Sequence, residues 1–425
     1  MKHVVDKGKT LLIDGPASVV LLSGDVDILG AALQIEERLV VRQGKRLPLL
    51  LKRISALEVM LGEGASISEI ENDATLSSWT DALEELLSHN KPTIVLVIGK
   101  VDSGKTSLCT FLVNKAVNEK LKTCIIDADF GYSDLGPPST VGFNFIVKPV
   151  KDLFEIHFRD GVFIGSTTPS SGIKVIDCLS YLKEKVMVEG VDVLVINTDC
   201  WVESEEAVKY KVRLIENIAP NIVVGMQRNR ELTPLLNKLH NVKVIVINSP
   251  RLIQPKSREK RRLLRELSYK KYMKGAKIQS FSLSWVKLEG SLLGSGSQLH
   301  HGRSEILCNL LGKRPVYSEE TADALLIVLH ETETVNEEQI KAIEECFNKQ
   351  IKIIREGDEK GLLVGLDDED HFLGIGILHK VDYTRKVLKV YTPVRKPVST
   401  LHFGQIKLNK NFREIGLSTV YSKTL

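Results

Sequence analysis

The feature that most limits what this 425-residue chain can fold into is one short run, G-K-V-D-S-G-K-T, from Gly99 to Thr106. An apolar stretch, TIVLVIG, leads into it, and an amphipathic stretch, SLCTFLVNKAV, leads out. Strand, glycine-bearing turn and helix are the context in which G-x-x-x-x-G-K-T cradles phosphate. Backbone N–H groups of such a loop and the positive end of its helix form an anion nest. Lys105 then reaches β and γ phosphates, and the Thr106 hydroxyl can ligate Mg²⁺. The expected nucleotide-binding residues are Gly99, Lys100, Val101, Asp102, Ser103, Gly104, Lys105, Thr106 and Ser107. The loop leaves the use of the nucleotide open, because GTPases, motors, transporters and kinases all share it.

From Pro92 onward, short apolar runs (TCIIDAD, VDVLVINT, NIVVGM, VKVIVINSP) alternate with longer helical stretches. Parallel strands need such long crossovers, so an α/β core with a parallel P-loop NTPase-type sheet and helices on both faces is expected. Residues 1–75 instead alternate β-type runs with Gly, Asp and Pro turns, which predicts a small N-terminal antiparallel sheet. A helix over SSWTDALEELLSHNK leads out of it, and residues 299–425 (ALLIVLH, GLLVGLDD, FLGIGILHKVD, KVLKVYTPV) predict a C-terminal β-rich domain. The expected boundaries are 1–75, 76–298 and 299–425. No apolar run reaches the roughly 18–20 residues of a membrane span, and the first residues lack the apolar core of a signal peptide, so no membrane contact and a cytoplasmic address are expected. Six cysteines without a C-x-x-C pair fit neither a disulfide framework nor a zinc site and are expected to be reduced and mostly buried.

The run after the phosphate loop, TCIIDADFGYSDLGPP, ends in Asp127 and Asp129. A neighbouring parallel strand would open its C-terminal end onto the nucleotide crevice, and residues two apart point the same way. Both carboxylates can then face Mg²⁺ or an acceptor hydroxyl, and an attacking hydroxyl needs a proton acceptor.

Charge is concentrated in KSREKRRLLRELSYKKYMKG, residues 256–275, with nine Lys or Arg against two Glu. That segment carries +7 where the whole chain carries +4, so the remaining residues sum to −3. On a helix Arg258, Arg261, Arg262 and Arg265 share one side, while Leu263, Leu264 and Leu267 lie opposite. A solvated helix usually intersperses both signs, so an anionic ligand is expected at this face.

A phosphate loop followed by D-x-D-x-G and a Pro-rich turn resembles the polynucleotide 5′-hydroxyl-kinase family. FIGSTTPSSG (163–172) is similar to that family's substrate clasp, VINTDCWVES (195–204) to its N-T-x-G-W segment, and 256–275 to its basic lid. The resemblance implies ATP and Mg²⁺ as cofactors and RNA or DNA 5′-hydroxyl ends as partners, with RNA-processing proteins as further partners. It also implies roles: Lys105, Asp129, Arg261, Arg265 and Asp127 catalytic, Asp129 being the general base; Thr106 and Asp127 at the metal; Trp201, Thr167, Thr168, Lys256, Arg258 and Arg262 on the acceptor, with Trp201 stacking on a base. The sequence departs from the family at Tyr132 (usually Gln), Ser139 and Cys200 (each usually Gly) and Lys256 (usually Arg). Two other readings remain at this point: an ATP-holding scaffold of an RNA-processing complex, and an NTPase that grips nucleic acid with its lid.

Overall fold

The computed structural model describes residues 1–71, 77–168, 172–250, 253 and 255–418. They form two compact units, Met1–Val162 with Thr167–Arg265, and Phe163–Ser166 with Glu266–Leu425.

The first unit is built on a seven-stranded sheet in the order Asp160–Phe163, Thr140–Ile146, Thr123–Ala128, Val193–Thr198, Thr93–Gly99, Ile222–Gln227, Lys243–Asn248. The last five strands are parallel, and Thr140–Ile146 runs antiparallel to Thr123–Ala128. All residues of Thr93–Gly99, Thr123–Ala128 and Val193–Thr198 are buried. That explains their continuous apolar runs, since crossover helices cover both faces of a parallel sheet. On one face Val95, Val97, Ile125 and Val195 pack against Trp79 and Leu86 of helix Ser77–Ser88 and Leu108 and Leu112 of helix Lys105–Asn118. Helices Gly172–Val188 and Glu205–Ile218 pack against each other on the opposite side.

The acidic strand does not lie beside the strand that feeds the phosphate loop, as expected; Val193–Thr198 is inserted between them. The crevice survives this, because Asn197 is in register with both Val97 and Asp127. The three strand ends stand side by side.

Residues 1–70 form two antiparallel sheets where one was expected: Lys2–Val5, Ser55–Leu61, Ala17–Ser23 and Arg38–Val41, and a second of Ala31–Leu33, Val26–Ile28, Arg46–Leu51, Thr10–Asp14 and Ser66–Ile70. Gly24, with φ +106°, turns the chain from Ala17–Ser23 of the first sheet into Val26–Ile28 of the second. Their shared core includes Ile13, Val19, Ile28, Leu49 and Leu57. Asn114 donates to the Leu29 carbonyl and Asn118 to that of Gly30, which ties these sheets to the phosphate-loop helix.

In the second unit, Lys277–Ser282, Val387–Thr392, Phe372–Asp382, Leu362–Asp367, Thr400–Leu408 and Lys287–Glu289 form one sheet, with Glu414–Leu417 added to Thr400–Leu408. A four-stranded sheet, Ser297–Gln298, Tyr317–Glu320, Ala324–Leu329 and Gln350–Arg355, accompanies helices His301–Leu311 and Glu337–Phe347. Six free cysteines are present, but only Cys109 and Cys124 are buried, fewer than expected. Among the described residues no helix is long and apolar enough to cross a membrane.

Candidate active site

The phosphate loop turns on glycine. Gly104 caps helix Lys105–Asn118 with φ +104°, a left-handed conformation that L side chains rarely adopt. A Cβ on Gly99 would stand 2.7 Å from both the Met226 carbonyl and Ser103 Oγ. Lys105 is buried, and its Nζ donates to the carbonyls of Gly99 (2.9 Å) and Lys100 (3.1 Å), so the ammonium is held over the loop.

A cavity of about 470 Å³ opens here, lined by Val101–Ser107 of the loop, by Asp129, Tyr132 and Cys200, and by Lys256, Arg258, Arg261 and Arg265. Thr167 also lines it, whereas Thr168 is exposed; residues 169–171 of the expected clasp and residues 251, 252 and 254 before the lid lie outside the described residues. Lid helix Arg258–Tyr272 buries Leu264 and Tyr269, and Met273 just past its end is buried as well. Leu263, expected on the packed side, is 40% exposed, because the buried stripe follows 264, 268, 269 and 273. Arg262 is exposed and lies outside the cavity lining.

Asp102, in the loop itself, holds the lid. Its Oδ2 accepts from the Lys256 backbone N–H at 2.9 Å and from Arg261 Nη1 at 3.1 Å. Lys256 Nζ lies 5.3 Å from the centre of the Tyr132 ring. Two of the departures noted in the sequence therefore meet: a tyrosine face receives the ammonium that stands in place of an arginine.

The two carboxylates of the acidic strand have different surroundings. Asp127 is fully buried and accepts from Asn197 Nδ2, Ser133 Oγ and the backbone N–H groups of Asp129, Asp134 and Leu135. It organises the turn that follows and does not line the cavity. Burial and the neighbouring Asp134 push its carboxyl above the usual range. Asp129 lies just past the strand and faces the cavity. Burial pushes it up to about 7, with Asp127 and Asp199 adding to the shift and Lys105 opposing it.

Sequence reasoning missed the groups behind these residues. Asn197 Nδ2 reaches Asp127 Oδ1 (2.9 Å) and Thr106 Oγ1 (3.5 Å), while its own Oδ1 is buried with no partner. Arg42 and Lys45, from the N-terminal sheets, bind Asp134 at 2.7 and 2.8 Å, and Arg42 also binds Asp152 at 2.7 Å. Burial opposes charge on Asp134, yet Lys45 and Arg42 outweigh it and hold that carboxyl well below the usual range. Asp199 Oδ1 accepts from the Trp201 N–H, and Oδ2 from Tyr210 OH (2.9 Å) and Lys211 Nζ (2.8 Å). Lys211 is fully buried, and burial lowers its pKa against the pull of Asp199. The Trp201 ring, partly exposed, lies 5.7 Å from that of Tyr210 at 32°, outside the cavity lining. One signal for Lys211 was in the sequence: it interrupts the apolar stripe 207, 208, 211, 214, 215, 218 of its helix.

Ser139 takes φ +68°, the left-handed conformation that a glycine adopts without strain, and its buried hydroxyl has no partner.

Residues 99–275 match the family model described as the mRNA cleavage and polyadenylation factor CLP1 P-loop. A polyribonucleotide 5′-hydroxyl-kinase of Methanocaldococcus jannaschii is 27% identical over 351 residues, covering 79% of this chain and 93% of the relative. One from Pyrococcus abyssi is 28% identical over 345 residues with the same coverage. The polyribonucleotide 5′-hydroxyl-kinase Clp1 of Danio rerio is 24% identical over 280 residues, 61% of this chain and 62% of that protein. Among solved structures, Clp1p in complex with Pcf11p superposes over 96% of this chain and 97% of that one with a TM-score of 0.65 at 14% identity, a likeness of fold. That module lies at the centre of the chain, and relatives named polyribonucleotide 5′-hydroxyl-kinases align along most of its length.

Proposed function

We propose that the cavity transfers the γ phosphate of ATP to the 5′-hydroxyl end of RNA, with Asp129 as the general base. The chain is an ATP-dependent polynucleotide 5′-hydroxyl kinase, like the relatives that cover most of its length. The observation that carries the assignment of roles is that Asp129, Lys105, Arg261 and Arg265 line one cavity. Lys105 and the loop N–H groups hold the β and γ phosphates. The 5′-oxygen attacks the γ phosphorus while its proton passes to Asp129, the β–γ bridging P–O bond breaks, and ADP leaves. Arg261 and Arg265 meet the charge that gathers on the transferring oxygens. Trp201 stacks on the terminal base, and Thr167 and Thr168 contact a substrate phosphate; Lys256, Arg258 and Arg262 add positive charge for the strand. We place the reaction among RNA-processing partners, following the family resemblance, and in the cytoplasm, as the sequence reading expects.

Mg²⁺ suits the groups at the strand ends. Thr106 would ligate it, and Asp127 with the free Asn197 Oδ1 would order its waters. Among the described residues no cluster of three acidic, His or Cys groups could hold a metal alone, as fits an ion that keeps most of its waters and substrate oxygens. Bound Mg²⁺ neutralises charge on the phosphate oxygens.

The test is transfer of labelled γ phosphate to 5′-hydroxyl RNA and DNA oligonucleotides by the parent and Asp129→Asn. The parent labels RNA; the variant binds ATP normally and loses on the order of 10²–10⁴ in kcat. Because Asp129 must be ionised to accept the proton and its pKa is raised to about 7, kcat/KM of the parent climbs with pH through about 7 to a plateau. Equal turnover by parent and variant would remove the base assignment. A parent that binds ATP and labels no oligonucleotide would overturn the reading.

A further inference from the structure

The larger sheet of the second unit turns Phe281, Leu378, Val381, Leu388 and Val390 into its core. Its other face is set by register: Ile278 pairs with Tyr391, Ser280 with Lys389, and Lys389 with Lys380. Paired residues point to the same side, so these form one outward strip. Ile278 is 52% exposed, and Ser280, Lys380 and Lys389 are exposed as well. At one end of the strip the Leu283 N–H donates to the Lys386 carbonyl at 2.9 Å. That bond sets the turn bearing Trp285 beside the hairpin tip of Arg385 and Lys386. Trp285 is 87% exposed.

Residues 379–413 hold nine Lys or Arg and a single carboxylate, Asp382, which caps the Arg385 backbone N–H at 2.9 Å. Lys380, Arg385, Lys386 and Lys389 take part in no ion pair among the described residues. A face that is merely solvated mixes both signs, and an indole left in water beside cations contributes nothing to packing. Cations for a backbone and a ring for bases are together what binds single-stranded nucleic acid without sequence preference. An acidic protein would answer the cations and leave the indole unexplained.

We infer that this strip is a docking surface for the body of a single-stranded polynucleotide, with Trp285 stacking on a base and Arg385, Lys386, Lys389 and Lys380 meeting phosphates. The choice of polymer rests on the kinase reading above. The strip gives the protein a hold on its acceptor that does not depend on the reacting end.

The experiment uses the full chain and fluorescence anisotropy without ATP turnover, on 5′-hydroxyl RNAs of about 4 and about 20 nucleotides, below and beyond the usual reach of one such surface. Trp285→Ala, and Lys386→Ala with Lys389→Ala, are each expected to weaken binding of the long RNA about tenfold and to leave the short RNA and its phosphorylation unchanged. The slope of log affinity against log salt becomes shallower by about 1.4 when two phosphate contacts are lost from a single strand. Unchanged melting temperatures show that the variants fold. Parent-like affinity and slope on long RNA would overturn the inference, and would point to an acidic protein if polyglutamate binding alone responded. A parent that holds long RNA through the strip but transfers no phosphate would refute the kinase reading and leave this one standing.

Discussion

In the first unit Asp127, Asp134, Asp199 and Lys211 are all buried, and each is met by named donors or acceptors within 3.3 Å. In the second unit the side chains of Lys380, Arg385, Lys386 and Lys389 stand in water and take part in no ion pair among the described residues. Buried charge has to be compensated on the spot, since the desolvation of each ion amounts to several kcal/mol, so it fixes geometry. Exposed, unpaired charge of one sign fixes nothing within the chain and acts at a distance on an anion. The site that must hold atoms in place and the surface that must gather a polymer are thus built from the same residue types at opposite extremes of burial.

The strongest break of this contrast is Lys105→Ala. It removes the one buried cation that the loop presents to phosphate, and ATP binding and transfer are expected to fall below detection in equilibrium dialysis and in the kinase assay. Next comes Lys211→Met, which leaves Asp199 buried with its countercharge gone. Breaking such a pair costs about 3–5 kcal/mol, read as a lower urea midpoint, and disturbing the carboxylate that holds the Trp201 N–H raises the acceptor KM more than the ATP KM. Lys389→Met serves as the matched control, its midpoint unchanged, because nothing among the described residues is bonded to that ammonium; a large loss there would erase the distinction between the regions. The smallest effect is expected from Ser139→Gly, which relieves a left-handed residue with an unpartnered hydroxyl and stabilises the protein by about 1 kcal/mol in the same titration.

The parts of the site that were legible in the sequence are contiguous. The phosphate loop, its strand and its helix occupy one stretch whose conformation follows from its neighbours, and the position of Asp129 at the cavity could be read from its place at a strand end. What was not legible depends on pairing across long separations. Arg42 reaches Asp134 over 92 residues and Asp152 over 110, and only the folded N-terminal sheets bring them together. The insertion of Val193–Thr198 between the loop strand and the acidic strand is a matter of strand order, on which apolar periodicity is silent. For the same reason Asn197, although part of the N-T-x-G-W match, was given no role at the site. The lid was recognisable by charge, but its packed stripe drifts along the helix, and a wheel drawn from Leu263 placed that residue on the wrong side.

One carboxylate, Asp102, belongs to the loop that receives nucleotide and at the same time anchors Lys256 and Arg261 of the lid. Occupancy of the loop and the position of the lid therefore enter a single equilibrium. Any nucleotide that favours one arrangement of Asp102 shifts the lid by its difference in affinity for the two arrangements, and by reciprocity the lid changes the affinity for that nucleotide by the same factor. A substitution confined to the far end of this contact, at Arg261, would thus be felt as a change in ATP affinity before any acceptor had bound.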